Sequence, residues 1–78
     1  MIQVLLFAGL QEKVGKAQLT INEEEITIAD LKDKHLSSYD LEPLMEESMV
    51  AVNEEYAEEH TILRAGDVVA FIPPVSGG

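Results

Sequence analysis

The chain has 78 residues and carries 5 Lys plus Arg against 15 Asp plus Glu, a formal net charge of −10. Its hydrophobic content of 46% is that of a globular domain, and its length fits one small domain with little room for an enclosed cleft, since about 60–65% of the unfolded surface is buried at this size. The absence of Cys excludes disulfides, thiolate catalysis and zinc–thiolate sites, and the negative charge argues against nucleic acid while favouring a partner with a basic surface or simple solubility.

The first ten residues are apolar but lack a basic lead-in and a small-residue cleavage site, so they read as a strand rather than a signal peptide. No apolar run approaches the roughly 18 residues that span a bilayer. A cytoplasmic protein with no membrane partner is the expectation. The first strand covers residues 2–8. Ile2, Val4 and Leu6 share one face, and Gln3, Leu5 and Phe7 share the other, more exposed one. Residues 9–15 read as a connection bounded by glycines. Residues 17–22 alternate cleanly, with Ala17, Leu19 and Ile21 against Gln18, Thr20 and Asn22, which predicts a strand with one wet face.

Glu23, Glu24 and Glu25 break that pattern. Thr27, three residues before Asp30, gives a capping signal for a helix over residues 28–36. Ile28, Leu31 and either His35 or Leu36 supply its buried stripe. Asp30 near its start, and Lys32 and Lys34 nearer its end, suit the helix dipole. Pro43 prevents a long helix through residues 37–48, leaving a short helical turn around Leu44 and Met45. Residues 49–53 predict a short strand, Asn53-Glu54 a turn, Tyr56-Ala57 a strand stub and Gly66-Asp67 another turn. The strand over residues 68–72 is apolar on both faces, which places it centrally in its sheet. One helix across one mixed sheet is the economical two-layer solution, an α+β domain of the β-grasp type over residues 1–72, followed by an extended, flexible tail over residues 73–78.

The tail, Pro73-Pro74-Val75-Ser76-Gly77-Gly78, leaves a central strand directly. Two prolines hold the chain extended, and two glycines let its end pass a narrow channel. Six residues reach at most about 20 Å, enough to enter another protein's active site. A free α-carboxylate is ionised at neutral pH and is a poor electrophile. An acyl-adenylate would activate it, and glycine is the least hindered acyl group for attack. An amine nucleophile would give a conjugate, and a sulfur donor would give a thiocarboxylate. Gly-Gly alone is equally a frayed end.

The run Leu63-Arg64-Ala65-Gly66-Asp67-Val68-Val69-Ala70-Phe71-Ile72 with this Pro-Pro-Val-Ser-Gly-Gly ending resembles the small, sulfur-carrier subunits of molybdopterin synthase. Phe7-Ala8, the glutamate-containing loop closed by Gly15, and Ala51-Val52-Asn53 match as well. The resemblance implies a ubiquitin-like β-grasp fold. It implies adenylation of Gly78 by an E1-like, ATP-dependent enzyme and conversion to a thiocarboxylate by a sulfur donor. It also implies insertion of the tail into a large subunit, where two sulfur transfers turn cyclic pyranopterin monophosphate into molybdopterin. Two small and two large subunits are the family's usual assembly. This chain would hold no cofactor, and ATP would be the activating enzyme's; the catalytic lysines would belong to the large subunit. Gly78 would carry the sulfur and Gly77 give clearance. Phe7, Tyr56 and Ile72 would dock, with Pro73, Pro74, Val75 and Ser76 along the partner's channel. Gln11 stands where the family often has Arg, which puts that contact in doubt.

The alternative for Phe7, Tyr56 and Ile72 is that all three are ordinary core residues. His60 after Glu58 and Glu59 reads as a solvated acidic turn rather than a metal site, because adjacent turn residues rarely converge on one ion. His35 reads as a half-buried helix residue. Glu54, Glu55, Glu58 and Glu59 could steer a basic partner or be plain solvated surface. No P-loop is present, no Ser/His/Asp set is evident, and adjacent Glu46 and Glu47 do not make an acid–base pair. The rival functions are a sulfur carrier for thiamine or another pathway, a modifier forming isopeptide bonds through Gly78, and an interaction module with an inert tail.

Overall fold

A computed structural model describes residues 1–74, apart from the side chains of residues 42–44. Val75, Ser76, Gly77 and Gly78, and with them the expectation of a flexible tail end, lie outside the described residues. The architecture is α+β, a β-grasp. Strands β1 (Ile2–Leu6), β2 (Gln18–Ile21), β4 (Met49–Val52), β5 (Glu55–Tyr56) and β7 (Val68–Ile72) form one sheet in the order β2-β1-β7-β4-β5. β1 and β7 run parallel at its centre and the other pairs are antiparallel. The expected central place of the last strand is what the sheet order shows.

The alternation of β1 sets which face is dry. Ile2, Val4 and Leu6 are fully buried, and Val69 and Phe71 of β7 join them. Against that face lie helices α1 (Ala8–Val14), α2 (Ile28–Leu31) and α3 (Glu42–Glu47), contributing Leu10, Ile28, Leu31 and Met45 to the core. Among the described residues every buried side chain of the core is apolar.

Three expectations change. The connection over residues 9–15 is the helix α1, because Leu10 and Val14, one turn apart, pack on the core. Gly15 ends it at φ +84°, and its N–H donates to the Gln11 carbonyl at 2.8 Å. A second sheet also forms where the glutamate run suggested a break: β3 (Glu25–Thr27) pairs with β6 (Ile62–Arg64). Each strand is three residues long and turns only Ile26 or Leu63 inward, too short a pattern to read from alternation. Finally, the helix over residues 28–36 is α-helical only to Leu31 and then makes a π turn over Lys32–Leu36. The π turn resolves the alternative between His35 and Leu36. Buried Leu31 and Leu36 are five residues apart, the spacing of one π turn, whereas an α turn would have turned Lys34 or His35 to the core.

Thr27 caps α2 as expected, its Oγ1 accepting the Asp30 N–H at 3.1 Å. Pro43 falls in the first turn of α3, where its missing N–H does no harm. His35 Nε2 and Lys34 Nζ lie 2.7 and 2.9 Å from the Glu23 carboxylate, which their hydrogen bonds hold below the usual carboxylate range. Asp67 pins two turns together. Its carboxylate accepts the Arg64 backbone N–H at 2.8 Å and the Asn53 side-chain N–H at 3.1 Å. The Asn53 side-chain oxygen, Oδ1, in turn accepts the Val68 N–H at 3.1 Å.

The backbone donor at Arg64, and then Asn53, depress the Asp67 pKa below its ordinary 3.8. A depressed carboxylate contributes stability above its unfolded pKa and loses it as pH falls through the folded value. Asp67→Ala is therefore expected to lower unfolding free energy by about 1–2 kcal/mol at pH 7. That difference should narrow as pH drops below the ordinary Asp value. Urea titrations of both proteins at pH 7, 4 and 2.5 check it, and a gap independent of pH would refute the assignment.

Candidate functional site

Among the described residues no helix covers the second face of the main sheet. Because β strands alternate, the buried positions of β7 and β4 fix their neighbours outward: Val50 and Phe71 face the core, so Met49 and Ile72, paired in register, face out. The same logic sends Leu5, Ala70, Ala51 and Tyr56 outward in the next row, through the pairs Leu5–Ala70, Ala51–Ala70 and Ala51–Tyr56. Gln3 and Val68 form a third row. A shallow groove of about 700 Å³ runs over this face, lined by Leu5, Phe7, Ala51, Tyr56, Ala70 and Ile72 with Asn53 and Glu54 at its polar edge.

Phe7, Met49, Tyr56 and Ile72 are 44%, 52%, 74% and 37% exposed. Phe7, Tyr56 and Ile72 are thus not core residues, and the structure brings all three to one apolar face. Such a patch, rimmed by polar groups, has the character of a protein interaction surface.

Phe7 lies one residue past the last pair of the parallel ladder, Leu6–Phe71, and lines a small cleft with Ala8, Ile72 and Pro73. Pro73 is buried and Pro74 exposed. The tail is therefore rooted in the same row that presents Phe7, Ile72 and Met49. Ala8 makes the tight turn from β1 into α1 at φ +49°, a left-handed conformation that costs an L-residue about 1–2 kcal/mol. The strain sits at the residue that fixes where β1 ends and Phe7 stands.

Charge is distributed unevenly around this face. Lys32, Lys34 and Arg64 pair with Glu59, Glu23 and Glu25 on the helical side and the small sheet. None of these bases lines the outer groove, whose charged member is Glu54. His60 and Glu58, 3.4 Å apart, are both exposed to solvent. Among the described residues no group of three His, Asp or Glu side chains could hold a metal, and no helix is long and apolar enough to cross a membrane.

Sequence reasoning passed over Met49. The signal for it was present in the alternation of Met49, Val50, Ala51 and Val52 once Val50 is known to be inside. Gln11 is exposed on α1. The remaining tail residues assigned roles, Val75 to Gly78, fall outside the described residues.

Residues 4–78 match the model of the ThiS family. The chain belongs to the ThiS family. It is 37% identical to the molybdopterin synthase sulfur carrier subunit of Arabidopsis thaliana, covering 99% of this chain and 82% of that one. The resemblance to that group of carriers, read from the tail and the strand before it, holds over nearly the whole length. Among solved structures, SAMP1 from Haloferax volcanii superposes with a TM-score of 0.82 at 28% identity, covering 99% and 98% of the two chains. The chain in a protein–protein complex of subunits 1 and 2 of the molybdopterin-converting factor from Helicobacter pylori gives a TM-score of 0.71 at 22% identity, covering 99% and 97%. At that identity the likeness speaks for the fold, a ubiquitin-like β-grasp.

The two faces of the sheet make opposite predictions for stability. Tyr56→Ala, on the open face, is expected to change unfolding free energy by less than about 0.5 kcal/mol. Phe71→Ala, one pleat inside, should cost about 3–5 kcal/mol. Thermal melts of the two variants decide it, and comparable losses would place Tyr56 in the core.

Proposed function

We propose that this ThiS-family chain is the sulfur-carrier subunit of a molybdopterin synthase. The observation that carries the reading is the placement of an open apolar face at the root of a Pro-Pro-Val-Ser-Gly-Gly tail. The relatives' shared designation supports it. The chain is a co-substrate more than a catalyst and has no activity alone. It binds no cofactor.

An E1-like enzyme uses ATP to convert the Gly78 carboxylate into an acyl-adenylate with release of pyrophosphate. A sulfur donor then attacks the acyl carbon. The C–O bond to phosphate breaks, AMP leaves, and a thiocarboxylate remains. Docked on the large subunit, the tail delivers this sulfur to cyclic pyranopterin monophosphate, and hydrolysis returns Gly78 to a carboxylate. Two such deliveries complete the dithiolene. Gly77 keeps the channel passage free of side chains. Phe7, Tyr56 and Ile72 grip the large subunit while Pro73 and Pro74 hold the tail straight, with Val75 and Ser76 following along the channel. The assembly is two small and two large subunits, working in the cytoplasm. The Helicobacter pylori relative in fold, itself part of a protein–protein complex of subunits 1 and 2, supports a large-subunit partner.

A second reading is favoured by the closer superposition on SAMP1, a small archaeal modifier protein. The same acyl-adenylate attacked by a lysine amine would give an isopeptide bond. Intact mass spectrometry separates the two. Incubation with an E1-like activating enzyme, ATP and a sulfide source should produce a gain equal to one oxygen exchanged for sulfur, absent when Gly78 is deleted. No gain with an enzyme shown to be active on a known carrier would sink the carrier reading, and lysine adducts in its place would establish the modifier.

The docking role has its own test. Ile72→Glu should weaken capture by the large synthase subunit by about ten- to a hundredfold, with the thermal midpoint nearly unchanged. Unaltered affinity would remove the outer face from the interface.

A further inference from the structure

We propose that Met49 is an oxidation site through which a hydroperoxide switches off docking, an inference that rests on the docking role of the outer face. The chain has no Cys and 3 Met, so thioethers are the oxidisable sulfur of its side chains. Their settings differ. Met45 is buried in the core, while Met1 and Met49 are exposed. Met1 precedes β1, so it lies at the end of the sheet away from Phe7, about 20 Å along the strand. Met49 pairs with Ile72 and stands in the row that roots the tail.

The step balances without a further reactant. A sulfur lone pair of Met49 attacks the terminal oxygen of the hydroperoxide, the O–O bond breaks, and the alcohol or water leaves. The thioether is oxidised to a sulfoxide and the peroxide is reduced. The product is a polar, chiral group where an apolar one stood. Neither Ile72, its partner across the ladder, nor Ala51, two residues along its own strand, carries a side-chain donor for the new oxygen. A partner that covers the row with apolar side chains must strip water from the sulfoxide or leave a gap around it. In the free chain the thioether is open to oxidant, and in the docked chain it is covered, so docking protects the site that oxidation would disable.

The carboxylate form of the full chain, before any sulfur is loaded, is the form to test. It is treated with hydrogen peroxide, peptide mapping follows the sulfoxides, and calorimetry measures affinity for the large synthase subunit. Sulfoxide at Met49 is expected to weaken binding by about tenfold or more. Met49→Leu, treated identically and oxidised at Met1, should bind with the same affinity as untreated Met49→Leu. The two methionine sulfoxide reductases together should restore the native chain, an effect that irreversible damage would not show. Circular dichroism should report an unchanged fold, because the core methionine is shielded.

Equal affinity of native protein before and after complete oxidation at Met49 would overturn the proposal, as would an equal loss in treated Met49→Leu. Ile72→Glu in unoxidised protein keeps the two readings apart. Weak binding by that variant beside oxidation-insensitive native binding sinks the Met49 switch alone. Native-like binding by it sinks the docking role, and the switch with it.

Discussion

The parallel pairing of β1 with β7 is the constraint on which the rest depends. It puts the first and last strands of the chain side by side at the centre of the sheet, running the same way. A parallel pair cannot close through a hairpin, so everything from Phe7 to Asp67 is crossover and must pack back onto the sheet. That crossover supplies the three helices and the small β3–β6 sheet, all committed to burying one face. The same pairing makes the end of β1 and the end of β7 neighbours. The residue that turns out of β1, Phe7, therefore stands next to the residue that starts the tail, Pro73.

A chain this short cannot cover both faces of a five-stranded sheet. Its apolar residues are nevertheless spread over both, because β7 is apolar at inward Val69 and Phe71 and at outward Val68, Ala70 and Ile72. In a larger protein a second helical layer would cover the outer set. Here the outer face is left open with Glu54 at its edge. With a net charge of −10, like copies of the chain repel one another. The same charge lowers the barrier to a partner with a basic rim. Apolar face and net charge thus act on different parts of an encounter: one supplies area for contact, and the other acts before contact is made.

The sequence was legible where a pattern ran long enough to be periodic. The alternation of Ile2, Val4 and Leu6 and the double-sided run Val68–Ile72 place the core face and the central strand without ambiguity. Thr27 before Asp30 marks the start of α2 because a cap is a local hydrogen bond with a local signature. What was not legible depended on tertiary packing. The helix α1 has glycine near each end and only Leu10 and Val14 as a stripe, so its sequence alone does not outweigh a loop. The π turn exists because Leu36, not His35, completes the core, a choice made by the space under the helix. β3 and β6 are stabilised by each other, across 35 or more residues of chain, which no window along the sequence contains. At the site, Phe7 and Ile72 were visible from strand phase and motif. Met49 was not, because its place in that row is set by its register against Ile72.

The division of labour between face and tail follows from the same geometry. Among the described residues no three His, Asp or Glu side chains come together as a metal site, and on the proposed role reactivity at Gly78 is supplied from outside. On the proposed role, at least two enzymes must each find Gly78: one to activate it and one to spend its sulfur. Neither can recognise the glycines themselves with much selectivity, since they have no side chains. Recognition must come from the surface rigidly joined to the tail's root, and Pro73, buried beside Phe7, Ala8 and Ile72, provides that joint. Both enzymes are then led to the same row of side chains. Because each must cover that row to receive the tail, they occupy the chain one at a time, and the carrier has to leave the first before it can serve the second. Binding by this face therefore has to remain weak enough to release, which a compact apolar patch with few charged contacts is suited to do.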